Sequence, residues 1–298
     1  MQALGLILVA VSALLFGSQF VPKKFSKANE IIYCTAMSSG IFLNALVWTV
    51  VIFFLGAKLN YSYHSLATCF IAGSIWTLGN VLLVYAVTRI GIARPFVILN
   101  FTSVISFFGG LIFLREYVSV SLFIQAFIAM LIIIAGCIVI TKTISKEHSN
   151  LRAEKLGIIA AFSSSIFFGV FNILIVHSVN ILKLDVVLAA LSLSSSSLLV
   201  CFALVAMSRK FLDYSTTPKR EHALGITGGI IWGLGNITSL LALKIFGLSI
   251  GIPILHGLIT FFSACWGIIA FKELERRAIP KFVIGALLTF GGIVLITL

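Results

Sequence analysis

The chain has 298 residues, of which 60% are apolar and 10% charged, with a mean hydropathy of +1.17 and a formal charge of +12. A water-soluble domain carries about a quarter charged residues, so the composition excludes a soluble globular protein and assigns the chain to a bilayer. Backbone in hydrocarbon must hydrogen-bond to itself, leaving helices or closed barrels. The apolar runs here have the length of membrane helices, about twenty residues each.

Ten such runs are predicted: 3–22, 31–55, 65–87, 92–114, 119–141, 155–179, 185–208, 223–244, 249–271 and 279–297. Only Met1 and Gln2 precede the first, with no basic residue, so it reads as a span and not as a signal peptide. It ends in FGSQFVPKKF (Phe16–Phe25), where Gln19 is polar at depth one turn before Pro22. The second span carries Asn44. Asn60-Tyr61-Ser62 in the next loop is a weak glycosylation-type triplet. The third span contains GSIWTLGN (Gly73–Asn80). Trp76 and Asn80 stand at i and i+4 and share a helix face, and Gly73, three residues earlier, leaves room for a neighbouring helix or a ligand. Pro95 opens the fourth span, Asn100 lies inside it and Arg115-Glu116 ends it, either as an interfacial charge pair or as a gate latch.

The sixth span holds Asn172, with His177 interfacial near its end. Ser192 and Ser194–Ser197 in the seventh favour close helix packing over solute contact. The eighth repeats the earlier phrase as GIIWGLGN (Gly229–Asn236), with Trp232 and Asn236 again on one face. The ninth holds Pro253, the lone deep histidine His256 and a terminal Lys272-Glu273.

The two tryptophan phrases agree at six of eight positions and lie 156 residues apart. At about that offset Phe16-Gly17 falls near Phe168-Gly169, Gly91 meets Gly247, Asn100 meets His256, Pro95 nearly meets Pro253, and Gly136 meets Gly292. The chain therefore reads as one unit of five spans used twice, residues 1–145 and 146–298. An odd number of spans makes the second copy enter from the opposite side, so the repeats are inverted. Inverted repeats are a common build of secondary transporters, with the substrate site near the midplane between them. Lysine and arginine follow the same logic: counted with the adjoining span ends, odd-numbered loops hold 17 and even-numbered loops hold 4. Positive residues stay inside, so odd loops are expected on the cytoplasmic side and both termini on the other. The basicity is an orientation signal with a role in anionic lipid contact; a nucleic-acid partner is not expected.

The nine acids all lie near span ends or in loops, and Arg89, Arg94 and Lys244 lie at span ends as well. A cation exporter or a proton symporter calls for a buried acid, and a phosphorylated substrate calls for a deep base. A neutral solute fits best. Tryptophan offers a flat apolar plate, and asparagine offers donors and an acceptor, a combination suited to a sugar. The expected solute contacts are Gln19, Asn44, Trp76, Asn80, Asn100, Asn172, Trp232, Asn236 and His256. His256 is also the residue able to couple transport to protons. The five cysteines sit in apolar runs without ligand-like spacing and read as packing residues. With no nucleophile–base pair, metal cluster or phosphate loop visible, neither catalysis nor a cofactor nor a metal is expected.

FGSQFVPKKF, the two tryptophan phrases and GIPILHGLITFFSACWGIIAFKEL (Gly251–Leu274) together resemble the glucose/ribose porter group of the drug/metabolite transporter superfamily, especially its eukaryotic transmembrane members. The resemblance runs over nearly the whole chain. It implies an all-α carrier of ten helices in two inverted repeats, a cavity lined by spans one to four and six to nine, and a carbohydrate substrate. FFGVFNILI (Phe167–Ile175) departs from the pattern, lacking the Ser-x-Phe-Val-Pro of the first repeat. Nucleotide-sugar or organic-phosphate exchange and amine or drug export, also found in this superfamily, are the alternative functions.

Overall fold

The computed structural model describes residues 2–116, 119–141, 151–271 and 279–297; Lys272-Glu273 lies outside the described residues. The described chain is helical throughout, without a strand: α1 (Gln2–Ser18), α2 (Val21–Phe25), α3 (Glu30–Phe54), α4 (Tyr63–Ile90), α5 (Ala93–Ile98), α6 (Phe101–Ile112), α7 (Val120–Thr141), α8 (Leu151–Val176), a π-helical turn (His177–Ile181), α9 (Val186–Met207), α10 (Phe211–Thr216), α11 (Lys219–Ile269) and α12 (Ile279–Thr297). Among the described residues, eight helices are long and apolar enough to cross a membrane, and Ile279–Leu295 is a shorter apolar helix. The protein is an integral, multi-pass membrane protein.

Local chemistry sets the helix starts. Asn29 caps α3 by accepting from the Ile31 amide at 3.1 Å. Ser62 and Ser65 form a reciprocal capping box at the start of α4, at 3.1 and 3.0 Å. Asn60 exchanges backbone and carboxylate bonds with Asp185. The Asn60-Tyr61-Ser62 triplet thus builds a helix start and a tie to α9.

Two of the expected spans are broken internally. Span one pauses at Gln19-Phe20, between α1 and the proline-led α2. Span four is split at Leu99-Asn100 into α5 and α6. Spans eight and nine, expected as separate runs, form one helical stretch interrupted at Gly247 alone, with φ 72° and ψ 179°. Gly91, ending α4, has nearly the same torsions, φ 83° and ψ −178°. Only glycine occupies this region without strain. At Gly247 the chain turns back. Trp232 and Leu255 line one cavity, yet on a straight helix they would stand about 35 Å apart.

The most extensive helix pairings join the first half of the chain to the second: α1 lies along α11, α4 along α8, and α7 along α12. The helix α3 packs on α11 and α9, while α6 lies between α8 and α11. Lipid gives no hydrophobic drive for helix association, so close backbone approach and interhelical hydrogen bonds must supply it. Gly73 abuts the Leu193 backbone of α9, and Gly229 abuts the Met37 backbone of α3, each closely enough that a Cβ would overlap a carbonyl oxygen. Ser38 bonds Ser197 at 2.7 Å, Ser74 bonds Ser196 at 2.7 Å, and Ser192 donates to the Leu66 carbonyl at 2.8 Å. The serine run of α9 therefore serves packing. The space beside Gly73 and Gly229 is filled by neighbouring helices. Outward faces carry exposed apolar residues such as Leu4, Ile7 and Phe54, the pattern of a lipid-facing surface.

Candidate functional site

Gln19, at the break after α1, lines a hollow of about 70 Å³, room for on the order of five water molecules. Trp76 from α4 and Trp232 from α11 form one wall, with ring centroids 4.3 Å apart and planes tilted by 48°. Phe16 of α1 flanks Trp232 at 5.7 Å, and Phe168 of α8 stacks on Trp76 at 6.4 Å. Phe96, Leu99, Ile252 and Leu255 also line the hollow, from α5, the residue after it and the part of α11 beyond Gly247.

Seven of the nine expected contacts line this hollow: Gln19, Trp76, Asn80, Asn172, Trp232, Asn236 and His256. Asn80 is 1% exposed; its amide nitrogen meets only the sulfurs of Cys34 and Met37, at 3.8 and 3.7 Å, and its Oδ1 has no hydrogen-bond partner among the described residues. The Oε1 of Gln19, a residue 5% exposed, is likewise without a partner there. Asn172 donates to Ser106 at 3.2 Å. Sulfur is a weak acceptor, so Asn80 is held by poor partners and remains available to a better one.

Asn44 and Asn100 do not line the hollow. Asn44 packs against Gly233, its Oδ1 within 2.8 Å of where a Cβ would stand. Asn100 sits at the break between α5 and α6, donating to the Phe96 and Val97 carbonyls at 3.1 and 3.2 Å and to Thr260 at 2.9 Å. It satisfies backbone freed by the break and ties α5 to α11.

Thirteen lining residues lie outside the sequence-based set, among them Ser239, Phe16, Phe168 and Phe171. Ser239 is three residues beyond Asn236 and seven beyond Trp232, on the same helix face; that spacing was the available signal. The hydroxyl of Ser239 donates to the Asn236 carbonyl at 2.8 Å. No Asp, Glu, Lys or Arg lines the hollow, and among the described residues no three His, Cys, Asp or Glu gather as a metal site. The cysteines are free; four are buried and Cys265 is half-buried.

Comparison with known proteins agrees with this architecture. A solved crystal structure of a protein 14% identical in sequence superposes with a TM-score of 0.71, covering 99% of this chain and 98% of that one; this likeness concerns the fold alone. Proteins bearing the name "putative sugar uptake protein" are similar over nearly the full length. The one from Listeria monocytogenes is 26% identical over 297 residues, and the one from Listeria innocua 25% over 303 residues, each spanning 98% of both chains. A third, from Enterococcus faecalis, is 25% identical and spans 86% of this chain and 87% of its own. A family profile described as "Sugar transport protein" matches residues 1–119 and 39–298. The porter-like resemblance of the sequence motifs and the family match coincide, and the chain belongs to the sugar transport protein family.

Proposed function

We propose that this protein is a carrier of ten spans, built as two inverted repeats (1–145 and 146–298), that moves a small neutral sugar by alternating access through the hollow between Trp76 and Trp232. The observation that carries the reading is the pair of buried, unpartnered acceptors, Gln19 Oε1 and Asn80 Oδ1, in a hollow with an indole wall. Burying an acceptor without a donor costs about 1–3 kcal/mol. A ligand carrying several hydroxyl donors and one apolar face meets both needs, and a pyranose has that chemistry. The absence of charged lining residues favours a neutral solute over a nucleotide sugar, an organic phosphate or an organic cation. The names carried by the relatives point the same way.

Repeat-related contacts support the inverted architecture. Gly91 and Gly247 share torsions, Gly73–Leu193 matches Gly229–Met37, and Phe16 and Phe168 flank opposite ends of the tryptophan pair. The lysine and arginine distribution supports cytoplasmic odd-numbered loops and non-cytoplasmic termini. The hollow admits on the order of five waters, whereas a hexose has more than twice as many heavy atoms. Its walls must therefore part during the cycle. His256 serves as a neutral hydrogen-bonding group, since no carboxylate lines the hollow to balance a proton on it.

The test is uptake of labelled neutral sugars into vesicles containing the purified protein. Saturable uptake, inhibited by unlabelled sugar and weakened by Asn80→Leu, is expected. Flux equal to that of protein-free vesicles for every neutral sugar would refute the reading.

A further inference from the structure

Glu116 follows α6 and reaches across to α11. Its two carboxylate oxygens accept from the amides of Leu248 and Ser249, at 2.6 and 2.9 Å, capping the helix that resumes after Gly247. A carboxylate at a helix N-terminus is favoured by both the free amides and the helix dipole. The surroundings are shaped for it. A Cβ on Gly247 would stand 2.8 Å from Glu116 Oε1, and one on Gly110 would stand 2.7 Å from Oε2. Arg115 turns with φ 52°, and the Glu116 amide donates back to the Gly110 carbonyl at 3.1 Å. Ser249 adds a bond to the Phe107 carbonyl at 3.1 Å.

The position of this contact separates it from the other carboxylate ties. Glu221 holds Ser26, Lys27 and Ala28, Asp185 holds Asn60, Glu30 pairs with Arg89 and Glu154 pairs with Arg94; none of them reaches the restart of α11 after Gly247. Glu116 instead ties α6 to α11, and the two helical spans meeting there supply one wall of the hollow, Phe96 and Leu99 opposite Ile252 and Leu255. Ile252 is one turn beyond Ser249. The Glu116 contact lies at the end of this seam formed by loops four and eight.

We propose that Glu116 is the latch of the non-cytoplasmic mouth: it caps α11 when that mouth is closed and releases the Leu248 and Ser249 amides when it opens. This rests on the alternating-access reading above. It assigns the release to a two-point, charge-assisted contact that the neutral amide of glutamine cannot reproduce, because glutamine has a single acceptor oxygen.

Hydrogen–deuterium exchange on the purified full chain, without any sugar, tests the latch independently of solute identity. In Glu116→Gln, exchange at residues 247–250 is expected to rise at least tenfold, and exchange at the opposite mouth, residues 91–96, is expected to slow. Unchanged exchange at 247–250 overturns the proposal. So does a rise there with 91–96 unchanged, since a static staple would loosen only locally. A second variant needs no substitution of Glu116. Gly110→Cys with Ser249→Cys puts a disulfide between neighbouring backbones in place of the carboxylate contact, a Cβ on Gly110 lying 3.1 Å from the Ser249 amide nitrogen and 2.7 Å from Glu116 Oε2. Once oxidised it is expected to speed exchange at 91–96, reversed by reductant; no effect of oxidation at 91–96 overturns the proposal equally. If these responses appear while no sugar is transported, the latch stands and the sugar assignment falls.

Discussion

Trp76 and Trp232 touch across the centre of the protein, ring centroids 4.3 Å apart, although 156 residues separate them. Each follows a glycine that presses its helix onto a different neighbour, Gly73 on Leu193 and Gly229 on Met37. The glycines fix how deeply α4 and α11 sit, and this depth brings the indoles together.

Replacing either tryptophan removes the apolar plate. An aromatic contact is worth about 0.5–1.5 kcal/mol beyond its area, so Trp76→Phe and Trp232→Phe are expected to raise the KM for uptake about two- to tenfold. The alanine variants are expected to lose more and to unfold at lower temperature, because a large buried side chain is lost. Transport kinetics in vesicles, with thermal unfolding in detergent, check both.

Asn80→Leu separates binding from stability. Removing the unpartnered acceptor eliminates a buried group that the solute-free protein leaves unsatisfied. The melting temperature should stay level or rise, while affinity falls about five- to a hundredfold for a loss of roughly 1–3 kcal/mol. A drop in melting temperature together with unchanged affinity would assign Asn80 to helix packing.

Gly73→Ala and Gly229→Ala add a methyl group where a carbonyl oxygen already stands. Overpacking costs about 1–3 kcal/mol, so both variants should melt at lower temperature. Gly91→Ala and Gly247→Ala, at φ 83° and 72°, are expected to destabilise through backbone strain. Thermal unfolding in detergent ranks all four against the wild-type protein.

His256→Asn introduces the residue type found 156 positions earlier, at Asn100. Uptake is expected to remain saturable, with KM changed less than tenfold, and to be indifferent to collapse of a proton gradient before and after the substitution. Gradient dependence in the wild-type protein that disappears in His256→Asn would instead assign proton coupling to this residue.

Much of the lining of the hollow was readable from helical spacing. Trp76/Asn80 and Trp232/Asn236 share faces at i and i+4, and all four line the hollow. Spacing alone does not say what a face meets. Asn44 and Asn100 are as polar as Asn80, yet one packs on Gly233 and the other repairs the break before α6. In lipid a buried amide can serve another helix as well as a solute, and only the position of neighbouring helices decides. Gly91 and Gly247 were visible as matched positions, but their torsions depend on where the chain must turn back. Ser239 was missed although it shares the Asn236 face, since a lone serine in a membrane helix commonly bonds its own backbone, as this one does.

Equilibrium binding of a neutral-sugar panel to the purified protein, compared with the same panel on a Gln19→Leu/Asn80→Leu variant, tests the central claim most directly. The account predicts saturable binding of at least one pentose or hexose, weakened at least tenfold in the variant, with no binding of sugar phosphates or organic cations. Sugar binding of equal strength in both proteins, or preferential binding of a charged ligand, would contradict it.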